Sequence, residues 1–157
     1  MTAKGAANDP RRIDNLAKTT HTCDYDPRSD RVGLQAAAAP GVAPSRMLKT
    51  LMAVVDGKTV CAVLRSDREV SMKALAASFG GKSARMMAPA DAERMTGYRV
   101  GGISPFGQKR PAPTVIDASA LLEELVFVNG GQRGQQIEAA PRELAAVLGA
   151  QGSDITA

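Results

Sequence analysis

The chain has 157 residues and a formal net charge of +4; 44% of its residues are hydrophobic but only 3% aromatic, with no tryptophan. This length predicts one domain around an aliphatic core, with residues 9–157 forming the domain and residues 1–8 a flexible terminus. No apolar run reaches the roughly eighteen residues of a membrane helix, and the opening segment lacks a secretory signal. We therefore expect a cytoplasmic protein without membrane contact.

Charge is distributed unevenly along the chain. Residues 46–110 carry 12 Lys/Arg against 5 Asp/Glu, a net +7, whereas residues 111–157 carry 2 against 6, a net −4. A basic central segment can neutralise phosphates and attract a nucleic acid, so an RNA partner is compatible with the charge. Ordinary solvated lysines and arginines give the same count, and composition does not separate the two interpretations.

The metal-ligating side chains are few and scattered. Two cysteines, Cys23 and Cys61, and the single histidine, His21, match no zinc-binding spacing. Free cysteine is among the most buried residue types, so both thiols are predicted to stay reduced and to pack in the core or in strands. We expect neither a metal nor another cofactor.

The first forty residues predict two short helices with a strand between them. The segment 9–18 has Asp9 as a helix N-cap and Pro10 at the first helical position. Residues 19–25 carry β-branched and aromatic side chains suited to a strand, and residues 33–39 form an alanine-rich segment typical of a helix.

A β-hairpin is predicted next. The segments 47–55 and 59–64 flank Asp56-Gly57, the strongest short sequence motif for a two-residue hairpin turn. The elements predicted after the hairpin are a helix capped by Ser71 and ending at Gly80-Gly81, a strand over 84–88 and a helix from Pro89 to Gly97.

Residues 98–113 contain too many glycines and prolines for a regular element and predict an ordered loop. The last predicted elements are a strand over 114–117, a helix over 119–125, a strand over 126–128, a turn over 129–134, a strand over 135–139 and a helix from Pro141 to Gly149. Short strands and helices alternate irregularly. The predicted class is therefore α+β, with a mixed, curled, mostly antiparallel sheet and helices outside it.

No common enzyme signature is present: the sequence has no nucleophile elbow, Walker loop, dinucleotide-binding glycines or HExxH. Two glycine-dense loops, GGISPFGQK at 101–109 and NGGQRG at 129–134, are the informative features, together with Lys49. A glycine-rich loop lets main-chain N–H groups approach a phosphate, a carboxylate or a developing oxyanion. Such a loop can equally be a tight structural turn.

Lys49 stands in an otherwise apolar strand. In the segment MLKTLMAVV, alternation places it on one face with Met47, Leu51 and Ala53. One explanation is an edge position, where the aliphatic stem packs and the ammonium reaches water. The other is a cation at the mouth of a pocket, directed at a phosphate or a carbonyl oxygen.

Three motifs in one order resemble a known family. KTL before a hydrophobic strand, GYRVGGISPFGQK and VNGGQRGQQIEAAP together are similar to the YbaK family, the free-standing relatives of the editing domain of bacterial prolyl-tRNA synthetases. The similarity runs from about Pro10 to Gly149. It implies hydrolysis of a mischarged aminoacyl-tRNA, with the loop sequence resembling the branch that acts on cysteinyl-tRNA for proline, whose substrate thiol attacks its own carbonyl.

The resemblance also implies roles for particular residues. Lys49 would be the functional lysine, engaging the 3′-terminal nucleotide or the ester, and amides around Gly101, Gly102 and Ser104 would hold the aminoacyl carbonyl. The implied pocket residues are Tyr25, Gly101, Gly102, Ile103, Ser104, Pro105, Gly130, Gly131 and Arg133.

Some assignments stay open beside these. Core packing for Tyr25 and a structural ion pair for Arg133 are alternatives to pocket roles. The partners that the resemblance implies are a mischarged tRNA and prolyl-tRNA synthetase. A non-catalytic module of the same fold that binds tRNA or a synthetase, and a small-molecule binder without RNA, are the competing functions.

Overall fold

A computed structural model describes residues 19–22, 43–130 and 135–157. The strands are β1 (Thr19–Thr22), β2 (Leu48–Val55), β3 (Lys58–Arg65), β4 (Ala84–Met86), β5 (Thr114–Asp117), β6 (Val126–Asn129), β7 (Gln135–Ala139) and β8 (Gln151–Ser153). The α-helices are α1 (Met72–Ser78), α2 (Pro89–Thr96) and α3 (Pro141–Leu148), with 3-10 helices at Pro44–Arg46 and Ala118–Leu122. The predicted helices over 9–18 and 33–39 lie outside the described residues.

The predicted hairpin is confirmed. β2 and β3 pair antiparallel, with Val55 opposite Lys58 across the two-residue turn. Both turn residues have positive φ, 48° at Asp56 and 83° at Gly57, as the tight turns of twisted hairpins require. The Asp56 carboxylate also accepts hydrogen bonds from the amides of Lys82 (3.0 Å) and Ser83 (3.1 Å). The turn is thereby joined to the segment that follows α1.

The strands form two sheets. A five-stranded sheet has the order β4-β2-β3-β5-β8, in which β3, β5 and β8 are parallel, and a three-stranded antiparallel sheet has the order β1-β7-β6. A parallel bridge between Met47 and Phe127 connects them. The α+β class with a mixed sheet is confirmed, although the strands divide between two connected sheets instead of forming one.

The core lies on both faces of the five-stranded sheet. Leu48 and Met52 of β2 belong to one buried cluster, which also contains residues of β6, β7 and α3. Ala53 and Val55 belong to a second cluster, together with Leu75 of α1. Alternate side chains of β2 therefore serve opposite faces. In the ranges 43–130 and 135–157, no helix has both the length and the apolar character needed to cross a bilayer.

Two elements differ from the sequence expectations. The segment predicted as a helix over 119–125 is a 3-10 helix over Ala118–Leu122. Its rise of about 2.0 Å per residue, against about 1.5 Å in an α-helix, suits a short connection between strands of different sheets. The strand β8 was not predicted, because its three residues pair only with β5 and show no alternation of their own.

Candidate active site

The two sheets meet where β2 and β6 lie side by side. Met47 bridges Phe127 in parallel register, and such partners carry their side chains on the same side. Lys49 lies two residues after Met47 in β2, and Asn129 lies two residues after Phe127 in β6. Asn129 is opposite Gln136 in the β6–β7 ladder. Strand alternation therefore places Lys49, Asn129 and Gln136 on one side of the joined sheets.

Lys49 is partly exposed and weakly paired. Its Nζ lies 4.0 Å from Oε1 of Glu69, and the two side chains are 24% and 89% exposed. An ion pair at this distance with a solvated partner contributes little free energy. The stem runs along the face that also carries Leu51 and Ala53, so the ammonium can engage an anionic ligand without breaking a strong contact.

The loop 98–110 is fixed at both ends to α2. The Lys109 and Arg110 amides donate to the carbonyls of Thr96 and Met95, both at 2.9 Å. Between these anchors, the Tyr98 hydroxyl donates to the Phe106 carbonyl at 2.5 Å. Burial raises the pKa of the Tyr98 phenol, and a hydrogen bond with Ser104 partly offsets this shift. The phenol therefore stays a neutral donor that closes the loop.

Buried polar groups fix the interior of the loop. Gln108 is 7% exposed, and its Nε2 donates to the Ser104 carbonyl at 3.1 Å. The Ser104 hydroxyl accepts from the Phe106 amide at 3.1 Å. Ser104 is 1% exposed, and both its main chain and its side chain are held in place by these hydrogen bonds.

The start of the loop is hydrogen-bonded to β6. Its interior packs on the other face of β2, where Ile103 and Phe106 belong to the buried cluster of Leu48 and Met52. Asn129 Nδ2 donates to the Gly101 carbonyl at 3.3 Å. Gly101 has a φ of 90°, a conformation that a side chain would strain and glycine adopts freely. The structure thus brings together two of the sequence motifs, the 101–109 loop and the NGG segment, through an explicit hydrogen bond.

The loop amides are not equally free to bind a ligand. The Gly102 amide already donates to the Arg99 carbonyl at 2.8 Å. The amides of Gly101, Ile103 and Ser104 have no acceptor in the part of the chain that the structure describes. Ile103 and Ser104 are buried, and buried N–H groups without acceptors are rare because they cost free energy. The amides of Gly101, Ile103 and Ser104 are therefore suitable donors to a carbonyl oxygen that gains negative charge.

Two buried side chains missed by the sequence reasoning have unsatisfied oxygens. Gln136 Oε1 and Thr50 Oγ1 have no hydrogen-bond partner among the described residues, and the two residues are 5% and 9% exposed. Gln136 shares the Lys49 side of the sheets, whereas Thr50 shares a face with Leu48 and Met52. A polar residue within a strand was their only sequence signal, and it is equally typical of a solvent-facing position.

The remaining predicted site residues fall into two groups. Gly130 follows β6 and is half-buried, and Pro105 is buried within the loop. Tyr25, Gly131 and Arg133 lie outside the described residues, so their roles stay predictions.

Cys61 packs in the core at 1% exposure, as predicted. Within the described ranges, no three His, Cys, Asp or Glu side chains cluster as metal ligands would.

Comparison with known proteins identifies the family. A model of the aminoacyl-tRNA editing domain matches residues 32–147. This chain belongs to the aminoacyl-tRNA editing domain family. The matched range includes Lys49, the whole 98–110 loop and β6, so the elements that build the candidate site are those of the editing domain.

Relatives of the editing domain agree with this assignment. The "Putative Cys-tRNA(Pro)/Cys-tRNA(Cys) deacylase EbsC" of Enterococcus faecalis is 37% identical over 118 residues, which cover 74% of this chain and 71% of that protein. A proline–tRNA ligase of Maridesulfovibrio salexigens is 32% identical over 94 residues, covering 60% of this chain but only 16% of the ligase.

A solved structure described as a "putative trans-editing enzyme for prolyl tRNA synthetase" has the same fold. It superposes with a TM-score of 0.80 at 25% identity and covers 98% of this chain and 94% of its own. The matched region thus makes up most of the Enterococcus protein but only a small part of the ligase.

Proposed function

We propose that this editing domain hydrolyses mischarged aminoacyl-tRNA in trans, with cysteinyl-tRNA(Pro) as its preferred substrate. The observation that carries the proposal is that Asn129, the neighbour of Lys49 across the sheet junction, is hydrogen-bonded to a fixed loop. The amides of Ile103 and Ser104 in that loop lack acceptors among the described residues. The family assignment and the described specificity of the Enterococcus relative support the substrate class.

The chemistry needs positioning more than a protein nucleophile. The Lys49 ammonium would hold the terminal nucleotide or the ester, and the free loop amides would stabilise negative charge on the carbonyl oxygen. In a cysteinyl ester the substrate sulfur attacks the carbonyl carbon, the ester C–O bond breaks, and the thiol proton is transferred to the departing ribose oxygen. Water then opens the cyclic thioester to free cysteine.

A panel of charged tRNAs tests the proposal. We expect purified protein to release cysteine from cysteinyl-tRNA(Pro) faster than alanine from alanyl-tRNA(Pro). Seryl-tRNA(Pro) is the matched control, because it replaces only the attacking sulfur by oxygen, and it should be released slowly. Equal or faster release of alanine would contradict the cysteine preference.

The same assay separates catalysis from simple binding. A protein that binds these tRNAs but releases no amino acid, with or without prolyl-tRNA synthetase, would be the non-catalytic module of the same fold. Release that occurs only when the synthetase is present would instead identify the synthetase as a required partner.

A further inference from the structure

Three exposed cations surround the stem of the 98–110 loop: Arg99, Lys109 and Arg110, here called the basic rim. We propose that the basic rim binds backbone phosphates of the RNA whose 3′ end enters the candidate site. This inference rests on the proposed function, because it assigns a place to the RNA body of the same substrate.

The loop anchors hold the three residues close together. Lys109 and Arg110 are joined through their amides to Thr96 and Met95. The Lys109 Cβ lies 3.6 Å from the position that a Cβ on Gly97 would occupy. Arg99 follows within three residues of Thr96, so the hydrogen-bonded stem places all three cations at one end of α2.

The rim charges form no ion pairs with the part of the chain that the structure describes. The ion pairs among the described residues involve Arg46, Lys49, Arg65 and Arg94, and none includes a member of the rim. The acids of α2 are already engaged: Asp91 pairs with Arg94, and Glu93 accepts from the Val100 amide at 2.9 Å. Exposed, unpaired cations in a cluster are the usual electrostatic footprint of phosphate contacts.

The rim lies next to the site. Arg99 is two residues from Gly101, which limits the distance between their Cα atoms to about 7 Å, and the Gly101 carbonyl accepts from Asn129. A phosphate bound at the rim is therefore within a few nucleotides of an ester held beside Lys49. Phosphate contacts position a nucleic acid without reading its sequence, which fits a contact to the RNA body.

The opposite end of β2 provides a matched control. Lys58, Lys82 and Arg85 are exposed and lack ion pairs among the described residues, and they gather around the Asp56-Gly57 turn. Val55 lies six positions after Lys49 along β2, a distance of roughly 20 Å. Replacing these three cations removes the same charge far from the site.

The binding experiment uses an uncharged proline tRNA transcript as probe and measures Kd over a range of salt concentrations. In the variant Arg99→Ala/Lys109→Ala/Arg110→Ala, the slope of log Kd against log salt should fall by about 2 to 3. The control Lys58→Ala/Lys82→Ala/Arg85→Ala should keep the wild-type slope. An unchanged slope in the rim variant, or an equal loss in both variants, overturns the inference.

A charge-preserving variant guards against misfolding of the alanine variant. Arg99→Lys/Lys109→Arg/Arg110→Lys keeps all three charges and should retain the wild-type slope, because phosphate contacts depend mainly on charge. Loss of the slope in this folded variant would show that the effect is not electrostatic and would also overturn the inference.

Turnover on two substrates separates failure of the rim from failure of the proposed function. The rim variant should hydrolyse cysteinyl-adenosine at the wild-type rate but cysteinyl-tRNA(Pro) with a KM raised at least about tenfold. Equal losses on both substrates would place the rim in the pocket and overturn the inference. If the wild-type protein hydrolyses neither substrate, the proposed function fails, while the tRNA binding slopes still decide whether the rim binds RNA.

Discussion

At the scale of single residues, the chemical role proposed for Lys49 can be separated from its small structural role. Lys49→Ala should cost about 1 kcal/mol of stability or less, since its ion pair with Glu69 is long and solvated. Turnover should fall about a hundredfold or more, the scale of losing one preorganised electrostatic contact. Single-turnover deacylation beside thermal melts measures both effects.

Lys49→Arg is the companion variant. It should restore only part of the rate, because a planar guanidinium differs in shape and hydration from a compact ammonium. Glu69→Gln is the matched control, which removes the ion-pair partner and should leave the rate unchanged. A folded Lys49→Ala protein with nearly normal turnover would remove this residue from the mechanism.

Lys49 could be recognised as a candidate site residue from the sequence alone, because a charged residue is unusual in an apolar strand. Gln136 and Thr50 could not be recognised in this way. Their unsatisfied oxygens arise from burial by distant elements, and nothing local distinguishes such residues from polar side chains that face solvent. The Gly102 amide is engaged in a local turn with the Arg99 carbonyl, and the sequence alone does not show which of the loop amides makes such a bond.

At the scale of elements, Gln108 holds the loop from within. Gln108→Met keeps the length of the side chain but leaves the Ser104 carbonyl without its donor, which should cost about 1–3 kcal/mol. Turnover should also fall, because the Ser104 amide loses its fixed position. Denaturant unfolding and deacylation rates measure the two effects.

A control for Gln108 is available on β8. Gln151 also donates to a main-chain carbonyl, that of Ser78, but on the exposed surface away from the loop. Gln151→Met should lose little stability and no activity. If the Gln108 and Gln151 variants had the same turnover, the loop interior would not determine the rate.

The hairpin turn makes a pH-dependent contribution to stability. Hydrogen bonds from the amides of Lys82 and Ser83 lower the pKa of Asp56 below its ordinary value of 3.8. A lowered pKa stabilises the fold at pH above 3.8, and this stabilisation is lost as the pH falls through the native-state pKa. Asp56→Asn tolerates the positive φ but lacks the charge.

Unfolding curves from neutral pH to pH 2 should therefore show Asp56→Asn less stable than wild type at neutral pH, with the difference vanishing in acid. Glu124→Gln is the control, since Glu124 is exposed and has no partner among the described residues. A difference for Asp56→Asn that stayed constant with pH would mean that the carboxylate charge does not contribute.

Elements whose shape is determined locally could be predicted well. The Asp56-Gly57 turn, the Ser71 cap and the left-handed Gly97 and Gly149 ends of α2 and α3 all lie where the sequence placed them. Two elements could not be predicted, the 3-10 segment Ala118–Leu122 and the strand β8. Their conformations depend on which sheet their neighbours join.

At the scale of the whole molecule, Arg46 links the two sheets. Its Nε donates to the Leu125 carbonyl at 2.9 Å, its guanidinium lies 3.8 Å from Glu138 and its Cζ is 5.8 Å from the centre of the Phe127 ring. Arg46→Ala should cost about 1–2 kcal/mol. It should also slow turnover, since Lys49 belongs to one of the two joined sheets and Asn129 belongs to the other.

Hydrogen exchange gives the readout specific to the junction. Amides of β6 and β7 should lose protection in Arg46→Ala while those of β3 and β5 keep theirs. Arg94→Ala is the control: Arg94 also pairs with a carboxylate, but both side chains are largely exposed, and its loss should cost about 0.5 kcal/mol or less. Uniform loss of protection in Arg46→Ala would argue against a local linking role.

The way the 98–110 loop is anchored has a consequence for how selectivity can evolve. Its stem is held by main-chain groups, the amides of Lys109 and Arg110 and the carbonyls of Met95 and Thr96, and these are present whatever side chains stand there. Side chains at the stem can therefore vary without loss of these bonds. Ile103 and Phe106 cannot vary as freely, because they are buried in the core cluster that contains Leu48 and Met52. A new loop interior would therefore require matching changes in the strands beneath it, so that the loop and the scaffold would have to evolve together.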